Sequence, residues 1–141
     1  MSNEYKDYMN DLRAIFNDKM YEVDFLYDGW RNSFVPAMMD EMFYALGSYV
    51  EDFEVYQIKE KFGSLVVYKG WKDREYTEEE FKDIDNITAE LNLIIEKYKK
   101  ISEHTCVQCG GKATFFSSHW VIPWCKNCRS TQLGVFAYID D

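Results

Sequence analysis

The sequence predicts an α+β fold, with helices packed on a small antiparallel β-hairpin or sheet. Three observations carry that expectation. The four cysteines stand as two Cys-x-x-Cys pairs, Cys106/Cys109 and Cys125/Cys128, with fifteen residues between the pairs. At that spacing two tight turns, each carrying a thiolate pair, close a tetrahedral sphere around Zn²⁺, so the C-terminus reads as a zinc ribbon. Residues 53–69, FEVYQIKEKFGSLVVYK, carry β-formers on both sides of Phe62-Gly63-Ser64 and read as a hairpin. From Thr77 to about Ser102 an apolar residue returns every three or four positions, the period of a helix.

Taken in chain order, residues 5–20 read as an amphipathic helix through Tyr8, Leu12, Ile15, Phe16 and Met20. Residues 22–27 are short enough for either strand or loop, and Asp28-Gly29 signals a turn. A second helix is predicted to start near Ser33. Pro36 is tolerated in its first turn, and Val35, Met38, Met39, Met42, Phe43 and Leu46 form its apolar face up to a stop at Gly47. In the hairpin, Val55, Tyr56 and Ile58 face Leu65, Val66, Val67 and Tyr68, and Gly70-Trp71 ends the second strand.

The third helix opens on a capping box, Thr77 with Glu80. Phe81, Ile84, Ile87, Leu91, Ile94, Ile95, Tyr98 and Ile101 mark one continuous face, wider than a strict heptad seam. This helix is therefore expected to pack along the domain and lead into the ribbon rather than to dimerise. Within the ribbon, Thr114–Phe116 and Trp120–Ile122 read as two short strands, and Leu133–Ile139 as an added edge strand. The chain divides into a helical and hairpin core, residues 1–103, and a zinc ribbon with its tail, residues 104–141.

With 141 residues and 47% hydrophobic content, the chain is long and apolar enough to fold around a core. Aromatic residues make up 18% of it. Most are expected in the core, and some on a recognition surface. The net charge is −9, which repels phosphate and disfavours general binding to nucleic acid or anionic membrane. Charge is unevenly distributed: residues 1–103 hold 13 basic and 23 acidic side chains, whereas the ribbon, 104–128, has no acid. Lys112 and Lys126, followed by Arg129, are its cations. Their simplest role is to balance the thiolates, and contact with nucleic acid is the alternative. The start, MSNEYKDYMNDLR, lacks the basic and apolar regions of a signal peptide, and no apolar run reaches the ~18 residues of a membrane span. A cytoplasmic, reducing location is expected, and it suits free thiolates.

Cys106, Cys109, Cys125 and Cys128 are thus the candidate metal ligands, with Zn²⁺ the expected cofactor in a structural role. A redox or disulfide role for the pairs is less economical. His104 and His119 flank the ribbon and are possible substitutes for Cys106 or Cys125. No Walker loop, dinucleotide fingerprint or His-Glu-x-x-His occurs. Carboxylates such as Asp24, Asp28, Asp40, Glu41, Glu51, Asp52 and Glu54 are abundant enough to pair by chance, so no catalytic residue stands out and the chain is not expected to be an enzyme. Lys59, Lys61 and Phe62 form a candidate partner-binding loop at the hairpin tip. The lysines are expected on the surface, while Phe62, an aromatic beside a glycine turn, is expected to favour packing inward.

Asp28-Gly29-Trp30, Lys59-Glu60-Lys61-Phe62-Gly63, and Cys106-Val107-Gln108-Cys109-Gly110 resemble, in their order, motifs of small uncharacterised proteins of phages and bacterial prophage regions. The resemblance covers residues 28–128 loosely. Leu65-Val66-Val67-Tyr68 departs from the Leu-Arg-Phe-Tyr common in those proteins, so no role of that arginine carries over. The resemblance implies a phage or mobile-element origin and no particular activity. Together with the acidic surface, it gives the expected function. This is a non-enzymatic protein-binding module that meets a host or bacterial protein, such as a nucleic-acid-binding effector, and inhibits an antiviral defence system. A nucleic-acid-associated zinc-ribbon regulator and an immunity-type protein neutralising a toxin are the alternatives.

The charge balance makes one prediction. Random-sequence duplex DNA should bind weakly at physiological salt, because −9 opposes the counterion release that drives non-specific affinity. Fluorescence anisotropy showing tight, steeply salt-dependent binding would contradict it.

Overall fold

The computed structural model describes residues 26–118, 121–130 and 136–139. The helix predicted over 5–20 and most of segment 22–27 lie outside the described residues. The described residues form an α+β arrangement with two antiparallel sheets, β1-β2 and β4-β3-β5.

Asp28-Gly29, read as a turn, opens a single helical turn, α1 (Asp28–Arg31), closed by an Asp28–Arg31 ion pair. Helix α2 (Val35–Leu46) comes next, with Pro36 in its first turn as expected, where a missing N–H costs nothing. It buries Val35, Met38, Met39, Met42 and Leu46 and leaves Phe43 partly exposed. Gly47, at φ 55°, ends the helix and starts a 3₁₀ stretch over Gly47–Asp52.

Strands β1 (Phe53–Lys61) and β2 (Ser64–Trp71) form the hairpin. An irregularity in pairing between Val55 and Gln57 shifts the alternation by one residue, so that Phe53, Val55 and Ile58 all face the core. Arg74 bonds Asp52, just ahead of β1, and Glu80, tying the hairpin's base to the next helix.

Helix α3 (Glu78–Glu103) is about 39 Å long at 1.5 Å per residue. Its capping box is complete. The Glu80 backbone N–H donates to Thr77 Oγ1 (3.1 Å), and the Thr77 N–H donates to Glu80 Oε1 (2.9 Å). The helix packs against α2 and β2. Ile84, Leu91 and Tyr98, seven residues apart, form its buried spine, with Ile87, Ile94 and Ile95 half-buried beside them. The predicted stripe is too long at both ends: Phe81 is 54% and Ile101 40% exposed, and in the last turn Ser102, beside Ile101, takes the buried position. Near the C-terminal end, the Leu65 N–H donates to Ser102 Oγ (2.9 Å), fixing the start of β2 on the helix.

In the ribbon, β3 (Phe115–Ser117) pairs with β4 (Pro123–Trp124) on one side and β5 (Phe136–Tyr138) on the other. The predicted first strand is displaced by one residue. The second, expected at Trp120–Ile122, is corrected to Pro123–Trp124, with Trp120 itself outside the described residues. Phe115 pairs with Trp124, which sets the register, and buried Ile122 turns into the core. Pro123, lacking an N–H, sits in an edge strand that tolerates it. The tail supplies the expected edge strand, β5.

Leu91→Ala should destabilise the protein by about 2–5 kcal/mol, since Leu91 is fully buried in the spine. Phe81→Ala, in the same sequence stripe, should cost far less. Urea denaturation of both variants tests the distinction.

Candidate metal centre

Each Cys-x-x-Cys pair sits in a turn closed by backbone hydrogen bonds. In the first, the Cys106 N–H donates to Gly111 O (2.8 Å) and the Gly110 N–H to Cys106 O (3.0 Å). Gly110 has φ 79°, a left-handed conformation that a side chain resists. In the second, Cys125 caps the short helix α4 (Lys126–Arg129), and the Arg129 N–H donates to Cys125 O (2.9 Å). Two more N–H groups point at sulfur: Gly111 N to Cys109 Sγ and Cys128 N to Cys125 Sγ, both at 3.3 Å.

The two turns bring all four predicted cysteines together with no disulfide between them, their sulfurs within 4.8 Å of one another and Cys109 to Cys125 at 3.6 Å. A tetrahedral ion with metal–sulfur bonds of ~2.3 Å needs sulfurs ~3.8 Å apart, so the set fits a metal ion such as zinc. Its electrostatics point the same way. Burial opposes ionisation of Cys106, yet the backbone N–H groups around it bring its pKa down to about 7. Burial and the neighbouring sulfurs push Cys128 up. Four adjacent thiols ionise together only with a cation among them. Cys106 is buried, Cys109 exposed, and the other two half-buried. His104 is the exposed C-cap of α3 and is not part of the cluster. His119 lies outside the described residues.

The first turn is held by the core. The Gly29 N–H donates to Val107 O (2.8 Å), and Trp30 Nε1 donates to Thr105 O (2.9 Å). A Cβ on Gly29 would collide with Cys106 O and lie 2.7 Å from Gly110 N; one on Gly110 would lie 2.7 Å from Gly29 O. Two glycines therefore let backbones meet where side chains would part them. Trp30 is completely buried.

The hairpin tip also meets the ribbon. A Cβ on Gly63 would run into the Val121 carbonyl, and Phe116 lies alongside. Lys61 pairs with Ser64 across the two-residue loop Phe62-Gly63, whose φ values of 53° and 84° are both left-handed. The expectation that Phe62 packs inward is overturned: it is 80% exposed. Gly63, having no side chain, takes the inward position against the ribbon, and the turn throws Phe62 outward. Lys61 is exposed, and the half-buried Lys59 places its Nζ 5.4 Å from the Tyr68 ring centroid. The lysines thus stand at the surface as expected.

Two surface features are not apparent from the sequence. Asp40, Glu41, Phe43, Tyr44, Glu90 and Ile94 line a groove between α2 and α3. Lys112, Lys126 and Arg129, noted as cations, share one cleft with Phe115 and Tyr138. The acid-free stretch is the only sign of the second. No helix among the described residues is long and apolar enough to cross a membrane.

No family model matches the chain, and no curated protein or solved structure shows significant similarity to it.

Purified with its metal, the protein should hold one ion per chain, and its four thiols should resist iodoacetamide until a strong chelator is added. Gly29→Ala, far from the cysteines in sequence, should speed alkylation of Cys106 by prising the first turn off α1. Equal alkylation rates in Gly29→Ala and the parent would contradict the coupling.

Proposed function

We propose that this chain is a non-enzymatic, acidic protein-binding module whose ribbon is held by a structural Zn²⁺ on Cys106, Cys109, Cys125 and Cys128. More specifically, we infer a phage-encoded inhibitor that docks on a host defence protein in the cytoplasm. The observation that carries the binding reading is Phe62. A bulky residue with positive φ is sterically disfavoured, by about 1–2 kcal/mol for the left-handed region. Exposing a phenyl ring adds no compensating burial. The two-residue turn imposes this φ on its first residue, and an exposed aromatic kept there in place of asparagine or glycine supports a contact made by its ring. The tip is also well supported for that task, because Gly63 seats it on the ribbon, and Lys59 and Lys61 precede it on the strand.

The acidic character supports a basic partner. The groove between α2 and α3 combines Phe43 and Ile94 with Asp40 and Glu90 at its edge, and Tyr44 is 88% exposed there. Aromatic centres with a charged rim suit protein recognition, and the −9 charge steers encounter with a cationic surface. Glu41 is engaged internally by Lys97 and Tyr98, and the Lys97 hydrogen bond holds its carboxyl below the usual range.

Phe62→Asn separates binding from stability. Asparagine tolerates the left-handed turn, so the variant should be at least as stable as the parent, by up to about 1 kcal/mol. It should nevertheless lose the partner that the parent captures from lysate of a bacterial host. Lys59→Glu with Lys61→Glu should weaken capture and leave thermal unfolding nearly unchanged. A destabilised Phe62→Asn, or one that captures the same partner undiminished, would overturn the contact role.

A further inference from the structure

We propose that the ribbon carries a binding site for a nucleoside phosphate, a phosphate group joined to a planar ring. This is independent of the protein-binding reading of the hairpin tip. Lys112, Lys126 and Arg129 are the three lysine and arginine residues of positions 104–141, and all three line one cleft of about 430 Å³ with Thr114, Phe115 and Tyr138. That volume lies within the range of small-molecule sites. Among the described residues, no carboxylate lines the cleft and none of the three cations has an ion-pair partner.

Arg129 is the best-prepared of them. Its guanidinium carbon lies 4.1 Å from the centroid of Phe115 and 5.8 Å from that of Phe136. Stacking fixes the plane of the guanidinium and leaves its N–H edge for a planar or tetrahedral oxyanion. Its Nε is buried and has no hydrogen-bond partner among the described residues, so an acceptor oxygen is what this group lacks.

The ring half of the ligand is specified by Tyr138. Its ring sits 4.7 Å from Phe115, centroid to centroid, and the residue is 77% exposed. An aromatic ring backed by another and open to solvent is a platform on which a nucleobase stacks. A cation set beside such a platform matches a phosphate and a base held a sugar apart. The rest of the molecule sets the size of the ligand. A long polyanion leaving the cleft would run onto a chain of net charge −9, whereas a single nucleotide keeps its charge within a Debye length of the three cations. The ligand is therefore a free nucleotide or the phosphorylated end of a single strand.

The full-length, metal-loaded protein is titrated at low salt with AMP, adenosine, inorganic phosphate, 5′-phosphorylated dT4 and unphosphorylated dT4, followed by NMR. AMP or phosphorylated dT4 should bind saturably, about tenfold or more tighter than adenosine or phosphate alone, shifting Arg129 Nε–H and Tyr138. Whichever of the two binds tighter identifies the source. Tyr138→Ala should weaken nucleotide binding about tenfold while leaving phosphate binding unchanged. Lys112→Gln with Lys126→Gln, both at exposed positions, should weaken both and leave metal content and melting unchanged. The proposal fails if no nucleotide binds saturably, if the shifts map away from the cleft, or if AMP binds no tighter than phosphate. It also fails if the double lysine variant loses metal without any change in nucleotide affinity, which would make the cations a counterweight to the thiolates.

Discussion

The close approach of two backbones, at Gly29 and at the Cys106–Gly110 turn, is the contact on which the rest of the molecule is arranged. A hydrogen bond from Gly29 to Val107 and one from Trp30 to Thr105 join α1 to the first cysteine turn. Neither glycine tolerates a Cβ there. Trp30 then fills the space between that turn and the core, packing on Tyr27 and Phe34, and Phe34 stacks on Tyr98 of α3. Val107 and Ile122 complete the same apolar cluster from the ribbon side. The cysteine centre is thereby continuous with the core through buried contacts.

That arrangement decides what the surface can present. The hairpin is seated near its tip both on α3, through Leu65 and Ser102, and on the ribbon, through Gly63 and Val121. A two-residue turn supported on both sides holds Phe62 outward in a conformation the residue itself disfavours. Asp28-Gly29-Trp30, Lys59–Gly63 and Cys106–Gly110, spread over more than half the chain, all converge on the ribbon. Charge divides along the same line: the acidic residues cover the helices and hairpin, and the cations of positions 104–141 gather in one cleft of the ribbon.

Several features were legible in the sequence because each depends on neighbours in the chain. The Thr77/Glu80 capping box, the stop at Gly47, the hairpin boundaries near Lys61 and Ser64, and the two cysteine turns all rest on local geometry that a few consecutive residues specify. Spacing alone brought the four thiolates into one predicted centre. The acid-free composition of the ribbon was equally plain.

What depended on distant partners was not legible. Whether Phe81 and Ile101 are covered depends on which side of α3 faces the rest of the molecule at each end, where Ser102 rather than Ile101 is buried, so the periodic stripe overstated the buried face of α3. The side of the turn taken by Phe62 was decided by the Val121 carbonyl, which leaves room only for Gly63. The second ribbon strand moved to Pro123–Trp124 because pairing with Phe115 fixes its register. The placing of Arg129 over Phe115 beside Tyr138 required helix α4 to meet strands β3 and β5. The sequence by itself determined most of the elements, the pairing of the cysteines into two turns and the charge pattern, since those arise from local chemistry. Only the tertiary structure decided which aromatic stays outside, which glycines must be glycine and which cations share a cleft, because each is settled by a neighbour remote in the chain.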